Sequence, residues 1–293
     1  MKIAVLSGKG GTGKTFVSVN LAAASSQAVY LDCDVEEPNG HLFFKPRDVA
    51  TKEVTVPIPV IDQDKCSRMQ GRAVNEVQDQ LGCRKCVDFC KFNALAYINH
   101  KVKVFDNVCH SCGGCAILCP GNAVSEIGKA IGRIEIGKSG NVEVMTGILN
   151  TGEASGVPII KGLLDEATVN SSLTIIDCPP GSACIVMESI KDADYCILVA
   201  EPTIFGVHNL NMIYELVSLF NKPFGAVLNK CTDGINPSEE FCNKNNIPIL
   251  ERIPFTNELA SMNSNALIAV REKQEYRELF SDLLKKCEKE ELA

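Results

Sequence analysis

The chain has no uninterrupted run of about 18 apolar residues, the length that a membrane-spanning helix requires, and we therefore expect no membrane anchor. It has no basic excess either, since 29 lysines and arginines face 36 aspartates and glutamates, giving a net charge of -7. Proteins that coat nucleic acid usually carry the opposite balance, so we expect no nucleic-acid partner. The strand-like run Lys2–Ser7 begins without a basic and apolar leader, and this pattern predicts a cytoplasmic protein.

Cysteine, by contrast, is abundant, with 15 residues in a chain of 293. In a small secreted protein such a number would indicate a disulfide framework. This chain is larger, and its hydrophobic content of 45% and charged content of 22% are those of a soluble globular protein. Metal ligation is therefore the better interpretation of the cysteines.

Short apolar runs rich in β-branched residues recur along the chain and alternate with helical patterns. Runs of this kind are typical of strands that are buried on both faces. We therefore predict an α/β fold with a mostly parallel sheet covered by helices on both faces. The predicted strands are Lys2–Ser7, Ala28–Asp32, Thr174–Asp177, Tyr195–Ala200, Gly225–Asn229 and Ile247–Leu250. The predicted helices include Asn209–Phe220, Asn257–Val270 and an amphipathic last helix, Glu275–Glu291.

The alternation stops between about Pro57 and Ser125, in a stretch that holds eight of the cysteines. Pro57 and Pro59 fit a linker at its start. After it, Gly132–Gly147 predicts a hairpin that turns at Ser139–Asn141. We therefore predict a discontinuous domain, residues 1–57 and 126–293, interrupted by an inserted small α+β domain, residues 58–125.

A glycine-rich segment, Gly8–Thr15, follows the first predicted strand and opens a helix. Its sequence GKGGTGKT matches the P-loop pattern G-x-x-x-x-G-K-[ST], in which backbone N–H groups surround phosphates, the lysine neutralises them and the hydroxyl reaches Mg²⁺. The glycines also fit the dinucleotide pattern G-x-G-x-x-G, but a dinucleotide site does not need the Lys14-Thr15 pair. We predict a P-loop ATPase that binds ATP and Mg²⁺. The predicted nucleotide-binding residues of this loop are Gly8, Gly10, Gly11, Thr12, Gly13, Lys14 and Thr15.

A second lysine, Lys9, stands early in the loop, and with it the sequence resembles the deviant Walker A ATPases of the SIMIBI class. These include MinD and ParA, the Mrp-type cluster carriers and the nitrogenase iron protein. The resemblance implies an ATP-dependent homodimer in which Lys9 reaches the partner's nucleotide and acts with Lys14 in catalysis. In LDCDVEEPN, Asp34 matches the family's acidic residue near the attacking water. In IIDCPPG, Asp177 matches the residue that lies near Mg²⁺ through water, and in AVLNK, Asn229 matches the adenine contact.

Four cysteines, Cys109, Cys112, Cys115 and Cys119, form a run that is followed directly by Pro120. The spacing C-x-x-C-x-x-C-x-x-x-C-P is that of bacterial ferredoxins, whose thiolates bind [4Fe–4S] clusters. Four thiolates also suit Zn²⁺, but this particular run favours an iron–sulfur site.

Upstream, Cys83, Cys86 and Cys90 repeat the end of this pattern, so the segment resembles a two-cluster ferredoxin domain. The resemblance implies that one cysteine of each run crosses to the other cluster. The chain departs from the family spacing of two where the sixteen residues Ser67–Gly82 separate Cys66 from Cys83. The implied ligands are Cys66, Cys83, Cys86 and Cys119 for one [4Fe–4S] cluster, and Cys90, Cys109, Cys112 and Cys115 for the other.

Cys184 lies seven residues after Asp177, an offset similar to that of a cluster-ligating cysteine in the nitrogenase iron protein. One hypothesis is that two copies of Cys184 face each other in the ATP-bound dimer and hold or pass a metal or cluster. The alternative is a small buried hydrophobe, as we expect for most cysteines outside the two sets. The alternative is favoured because the other ligand of the iron protein has no match in this chain.

The P-loop and the cysteines together predict an ATP-hydrolysing iron–sulfur protein whose partner is a redox or cluster-acceptor protein. In the first interpretation, an ATP-driven dimer switch gates electron transfer through two clusters. In the second, the protein carries or assembles iron–sulfur or other metal clusters. In the third, it is a positioning ATPase like MinD and ParA with the clusters as a redox sensor. The acidic charge and the lack of a basic amphipathic tail count against the third.

Overall fold

A computed structural model of the protein describes residues 1–68, 83–167 and 173–291. The strands are β1 (Lys2–Leu6), β2 (Ala28–Asp32), β3 (Arg47–Ile61), β4 (Leu95–Ile98), β5 (Lys101–Val104), β6 (Val124–Ser139), β7 (Val142–Leu149), β8 (Thr174–Asp177), β9 (Tyr195–Ala200), β10 (Phe224–Cys231) and β11 (Ile249–Pro254). Nine of them form one sheet in the order β11-β10-β9-β1-β8-β2-β7-β6-β3, and β4 pairs with β5 in a separate antiparallel ladder.

The helices follow the strands in alternation over much of the chain. They are α1 (Lys14–Ala24), α2 (Gly40–Phe44), α3 (Gln63–Arg68), α4 (Lys85–Phe89), α5 (Gly114–Ile117), α6 (Val157–Ala167), α7 (Cys184–Ile190), α8 (Ile204–Leu219), α9 (Pro237–Lys244), α10 (Asn257–Ser264), α11 (Ala269–Glu272) and α12 (Gln274–Glu291). None of the helices in the described ranges is long and apolar enough to cross a membrane.

The seven strands from β11 to β7 are parallel, with β1 between β8 and β9. Every residue of β2 and β9 is buried. Strands that are covered on both faces have no polar side to alternate with, which is why they appear as continuous apolar runs in the sequence. The carboxyl ends of β1, β2 and β8 meet at one edge of the sheet, where ligands of open α/β folds usually bind.

The α/β fold with a mostly parallel sheet is confirmed, and three predicted strands have the predicted bounds: Ala28–Asp32, Thr174–Asp177 and Tyr195–Ala200. The predicted hairpin is also present, because only Gly140 and Asn141 connect β6 to β7. Gly140 has a φ of +63°, the left-handed conformation that such short turns require.

The last helix buries the face that its periodicity predicts. Phe280 and Leu283 are fully buried, and the Phe280 ring packs edge-on against Phe16 of α1, with the ring centroids 6.0 Å apart. Tyr276, Leu284 and Cys287 lie in the same core. The amphipathic pattern therefore reflects packing against the hydrophobic core that contains Phe16.

One predicted helix, Asn257–Val270, is wrong as a single element. It is two helices, α10 and α11, and the chain between them passes through Ala266 at a φ of +51°. The left-handed residue ends α10, because the N–H of Ala266 bonds back to Asn263 O at 3.1 Å and the N–H of Leu267 bonds to Met262 O at 2.9 Å. The helix predicted from Asn209 begins earlier, at Ile204, where the Thr203 side chain accepts a bond of 2.9 Å from Gly206 N.

Pro57 and Pro59 do not lie in a linker, contrary to the prediction. Both lie inside the strand β3, which is the last strand of the sheet. An edge strand tolerates proline, because one side of its backbone has no neighbouring strand that needs an N–H donor.

The chain divides into two compact units. The first comprises residues 1–52, 133–148 and 159–293, and the second comprises residues 53–132 and 149–158. The second unit holds the β4–β5 ladder, the helices α3, α4 and α5, and a small core around Cys86, Leu95, Val102 and Cys115. The boundaries expected for an insert, residues 58 and 125, lie within this second unit. Its identity as a ferredoxin domain stays a prediction.

Candidate functional site

The glycine-rich segment Gly8–Thr15, which we call the phosphate loop, connects the end of β1 to the start of α1. Gly11 and Gly13 have φ values of +82° and +93°, a region that other residues rarely adopt. A Cβ at Gly8 would lie 2.3 Å from the backbone oxygen of Asn209, and one at Gly13 would lie 2.1 Å from Asn229 Nδ2. The glycines are therefore needed both for the path of the loop and for its close packing.

Lys14 is buried at the first position of α1, with 5% of its surface exposed. Its Nζ lies 2.7 Å from Asp177 Oδ1 and 4.0 Å from Asp34 Oδ2. Burial alone would lower the pKa of Lys14, but the charge and hydrogen bond of Asp177, together with Asp34, outweigh it and raise the pKa. The lysine is thus held as a cation inside the site.

Asp177, the last residue of β8, is fully buried and accepts hydrogen bonds from three side chains of α1 and β2. In addition to the bond from Lys14 Nζ, Ser18 Oγ donates to Asp177 Oδ1 at 3.1 Å and Tyr30 Oη donates to Asp177 Oδ2 at 2.8 Å. Burial, followed by the charge of Asp177, raises the pKa of Tyr30 well above its ordinary value, so its hydroxyl remains a donor. The carboxylate is therefore fixed in orientation on both oxygens.

Asp32 and Asp34 lie at and just beyond the end of β2. Asp32 Oδ2 accepts bonds from the backbone N–H groups of Asn39 at 3.0 Å and Gly40 at 2.8 Å. Burial, and then the nearby Asp177, raises the pKa of Asp32 to about 8. Burial also raises the pKa of Asp34 to about 6, although Lys14 opposes the shift. Asp32 thus organises the turn, while Asp34 faces the cleft.

Lys9 forms an ion pair within its own chain. Its Nζ lies 3.0 Å from Glu201 Oε2, and the other oxygen of Glu201 lies 2.6 Å from Lys230 Nζ. Lys230 also donates to the backbone oxygen of Gly11 at 2.6 Å. Burial disfavours the charge on Glu201, but the two lysines outweigh it and lower its pKa. Glu201 therefore contacts Lys9 directly and Gly11 through Lys230, and so supports the first half of the loop.

A cleft of about 880 Å³ opens over the loop, within the size range of small-molecule sites. Predicted site residues that line it are Gly10, Gly11, Gly13, Lys14, Thr15, Asp34 and Asn229. Thr12 Oγ1 is buried and has no hydrogen-bond partner among the described residues. A buried hydroxyl without a partner is costly, and a phosphate oxygen would satisfy it. Asn229 Nδ2 donates to Thr12 O at 2.8 Å, so this side chain also supports the loop.

Sequence reasoning missed four residues of this site: Ser18, Tyr30, Glu201 and Lys230. Tyr30 lies two positions before Asp32 on β2, so the strand alternation places both on one face. Glu201 directly follows β9, at the carboxyl edge of the sheet where ligand-binding residues collect. These two positions along the strands could have indicated Tyr30 and Glu201 as site residues. Their hydrogen-bond and ion-pair partners depend on the tertiary fold and could not be predicted in this way.

The second unit brings together four of the predicted cluster ligands. Cys66, Cys83, Cys86 and Cys119 line one small cavity, whose other walls are mostly apolar. The backbone N–H of Ala123 donates to Cys119 Sγ at 3.2 Å. Burial raises the pKa of the Cys86 thiol to about 11, and the neighbouring sulfurs of Cys66 and Cys119 act in the same direction. Much of the long segment between Cys66 and Cys83 lies outside the described residues.

The other four predicted ligands do not line this cavity. Cys109 and Cys112 lie close enough to Cys115 to raise the pKa of its thiol, although burial is the main cause. Cys90 packs against the small core that contains Cys115. The backbone N–H of Ser111 lies 3.5 Å from Cys109 Sγ, as expected of a donor to a ligand sulfur.

All cysteines in both sets are free thiols. In the described ranges, no group of three or more His, Cys, Asp or Glu side chains is placed to hold a single metal ion. A [4Fe–4S] cluster takes each thiolate on a different iron, so four thiols around one cavity are a donor set that fits it.

Cys184 is the exposed first residue of the short helix α7. Its neighbours Ala183 and Ile185 line the nucleotide cleft. The expectation of a buried hydrophobe is wrong for this cysteine, because the residue is exposed. Whether two copies meet stays a hypothesis.

Comparison of the sequence with known families matches residues 3–268 to the CobQ/CobB/MinD/ParA nucleotide binding domain. The uncharacterized protein MJ0578 of Methanocaldococcus jannaschii is 30% identical over 293 residues, which cover 98% of this chain and 96% of that protein. The uncharacterized protein MJ0579 of the same organism is 29% identical over 235 residues, which cover 78% of this chain and 80% of that protein.

Solved structures share the fold at low sequence identity. The septum site-determining protein MinD of Pyrococcus horikoshii OT3, complexed with Mg-ADP, has a TM-score of 0.59 at 17% identity, covering 97% of this chain and 94% of that chain. The cell division ATPase MinD of Pyrococcus furiosus has a TM-score of 0.58 at 19% identity, covering 100% of this chain and 99% of that chain. A ParA family ATPase from Chlorobium tepidum TLS has a TM-score of 0.55 at 12% identity, covering 97% of each chain.

Proposed function

Since the chain belongs to the CobQ/CobB/MinD/ParA nucleotide-binding family, we propose that it binds ATP with Mg²⁺, hydrolyses it, and works as a switch by forming a homodimer. The observation that carries this proposal is that the phosphate loop and Lys14 line one cleft, where Lys14 Nζ lies 2.7 Å from Oδ1 of the buried Asp177. Phosphoryl transfer needs positioning and charge stabilisation more than covalent chemistry from the protein. A buried, oriented cation and carboxylate provide both.

Each residue of the cleft has a distinct task in this proposal. Backbone N–H groups of the loop and the Thr12 hydroxyl hold the phosphates, and Lys14 neutralises their outer oxygens. Thr15 and Asp177 would hold Mg²⁺, which would supply positive charge to neutralise the phosphates. Asp34 positions the attacking water from the side of the cleft.

The orientation of the Asp177 carboxylate is fixed by Ser18 and Tyr30 before the nucleotide binds. Because Ser18 and Tyr30 already bond to the carboxylate, it loses little freedom when Lys14 turns towards phosphate oxygens. Such preorganisation is the main way in which polar groups stabilise a transition state.

Lys9 supplies the dimer step of the proposal. Its ion pair with Glu201 lies on the outer side of the loop, and 42% of its side chain is exposed. Exposed ion pairs are weak, so a nucleotide phosphate of a second copy can replace Glu201 as the partner of Lys9. Light scattering would test this step: the protein should be monomeric with ADP and dimeric with ATP. A monomer under both conditions would contradict it.

The process that the switch controls is a separate question, for which the observations support either a positioning ATPase or an iron–sulfur protein. The solved structures of similar fold, the septum site-determining MinD and a ParA family ATPase, favour a positioning ATPase over an electron donor. The cavity lined by Cys66, Cys83, Cys86 and Cys119 is the specific observation that favours an iron–sulfur protein. An electron donor and a cluster carrier both fit that cavity, and both need a redox or cluster-acceptor partner.

Anaerobic purification with iron and sulfide counting tests the iron–sulfur proposal. Two [4Fe–4S] clusters predict about eight irons per chain and an EPR signal after reduction. Cys119→Ser should remove about half of the iron, while Cys242→Ser, which changes a buried cysteine in α9, should leave it unchanged. Zinc in place of iron, or no metal at all, would contradict the proposal.

Three functional assays then separate the possible outputs. An electron donor changes its reduction potential or transfers electrons when ATP is added. A cluster carrier delivers iron and sulfide to an apo-ferredoxin. A positioning ATPase binds vesicles or DNA in the presence of ATP and releases them after hydrolysis.

A further inference from the structure

A second cavity, of about 410 Å³, lies in the first unit away from the nucleotide cleft. The two cavities share no lining residue within the described part of the chain. This basic pocket takes residues from the end of α2, the start of β3, the β6–β7 turn and α11. Its charged side chains are Lys45, Arg47, Lys138 and Arg271.

Four cationic side chains line the basic pocket. Within the described ranges, none of the four forms an ion pair with a carboxylate. This is unusual for a chain with a net charge of -7. Four like charges around one concavity repel each other, and an anion inside it would relieve that repulsion.

Arg271 is fixed in the wall of the pocket. Its Nη1 donates to Ser139 Oγ at 3.0 Å and its Nη2 donates to Ser139 O at 2.8 Å. Its guanidinium also lies 5.5 Å from the centre of the Phe44 ring. Partial burial lowers the pKa of Arg271, and no carboxylate acts against that shift. Within the described part of the chain, no hydrogen bond is formed by its other three side-chain N–H donors, which can reach a ligand.

The backbone around the pocket is also fixed. Ser139 Oγ donates to Phe44 O at 2.5 Å, which joins the β6–β7 turn to the end of α2. Lys45 ends α2 in the left-handed conformation, with a φ of +47°, and its N–H bonds to His41 O at 2.9 Å. A non-glycine residue in this conformation is uncommon, and the surrounding contacts hold it there.

We propose that the basic pocket binds a small soluble anion with at least two phosphate groups. Its volume lies in the range of small-molecule sites. Arginine forks match phosphate oxygens, and the two lysines add point charges. A nucleic acid is a poorer match, because proteins that bind nucleic acid commonly contact about six to ten phosphates along an extended surface. The pocket is compact, and the rest of the chain is acidic.

Isothermal titration with inorganic pyrophosphate tests this proposal. The nucleotide cleft is first filled with excess ADP, and the titration is repeated on Lys14→Ala, so that binding at the phosphate loop is not counted. We expect saturable one-to-one binding in both proteins. No saturation up to about 1 mM, or binding that is lost in Lys14→Ala, would overturn the proposal.

Single substitutions assign the binding to the pocket. Arg47→Gln and Lys138→Gln change exposed side chains, and each should weaken binding by about tenfold, as expected for one charge-assisted hydrogen bond. Lys191→Gln, an exposed lysine outside the pocket, serves as the matched control. Equal affinities in all three variants would overturn the proposal. Citrate that binds as tightly as pyrophosphate would overturn the assignment of phosphate.

Discussion

Lys14 Nζ lies 2.7 Å from Oδ1 of Asp177, although 163 residues separate the two in the chain. The contact joins the start of α1 to the end of β8, two points that the parallel sheet brings to the same edge. Each charge is buried and each compensates the other. A bound triphosphate would compete with Asp177 for Lys14, so we expect nucleotide binding to be coupled to the end of β8 and to the turn that follows it.

Lys14→Ala should reduce ATP hydrolysis by about a hundredfold or more, the usual cost of removing a group that stabilises transition-state charge. The substitution also leaves Asp177 and Asp34 without their cation, so the thermal midpoint should fall. A phosphate-release assay and a melting curve measure the two effects. Lys191→Ala is the control and should change neither. Full activity in Lys14→Ala would contradict the assigned role.

Tyr30→Phe should lower the free energy of unfolding by about 1.5–3 kcal/mol, the usual worth of a hydrogen bond to a charged group. The ring and its packing against Phe44 remain, so the loss isolates the bond to Asp177 Oδ2. Urea denaturation measures it. Tyr214→Phe is the matched control, because its ring packs against Phe224 and Phe241 and no hydrogen bond of its hydroxyl is described. Equal effects of the two substitutions would show that the Asp177 bond adds nothing.

Glu201→Gln should strengthen ATP-dependent dimerisation by about two- to fivefold. The substitution removes the charge that holds Lys9 within its own chain, and a partly exposed ion pair is worth about 0.2–1 kcal/mol. Sedimentation at several protein concentrations with ATP gives the dimer dissociation constant. Glu239→Gln breaks a surface pair with Arg252 and serves as the control. Weaker dimerisation in Glu201→Gln would indicate that Glu201 supports the active arrangement.

The stability of the protein should depend on pH through Asp34. The pKa of Asp34 is raised from an ordinary value of 3.8 to about 6, so the folded protein binds its proton more tightly than the unfolded chain does. This contribution to stability is full below about pH 4 and is lost as the pH rises to about 6.

Comparison with Asp34→Asn isolates this effect, since the variant has no proton to lose at that position. The free energy of unfolding of the natural protein, minus that of Asp34→Asn, should fall between pH 4 and pH 6. A difference that stays constant or rises over this interval would show that the pKa of Asp34 is not raised.

The sequence contained enough local information to predict much of the fold. Buried parallel strands such as Tyr195–Ala200 are continuous apolar runs, and the loop Gly8–Thr15 has a pattern that its chemistry requires. The helix break near Ala266 was missed because apolar periodicity continues across it. Pro57 and Pro59 were misinterpreted because proline in an edge strand and proline in a linker have the same local sequence.

Long-range partners were beyond a sequence argument. Tyr30 bonds to a residue 147 positions away, and Lys9 pairs with Glu201 only because β1 and β9 are neighbours. The basic pocket likewise combines residues from four elements, none of which forms a recognisable motif. Such contacts follow from strand order and side-chain packing, which a one-dimensional pattern does not specify.

The dependence of ATP turnover on protein concentration tests the central claim most directly. If the active state is a homodimer completed by Lys9, the rate of hydrolysis per chain should rise with concentration and then level off. In Lys9→Ala it should stay low at all concentrations. A rate per chain that does not change with concentration, or no hydrolysis at all, would contradict the account of this protein as an ATP-driven dimer switch.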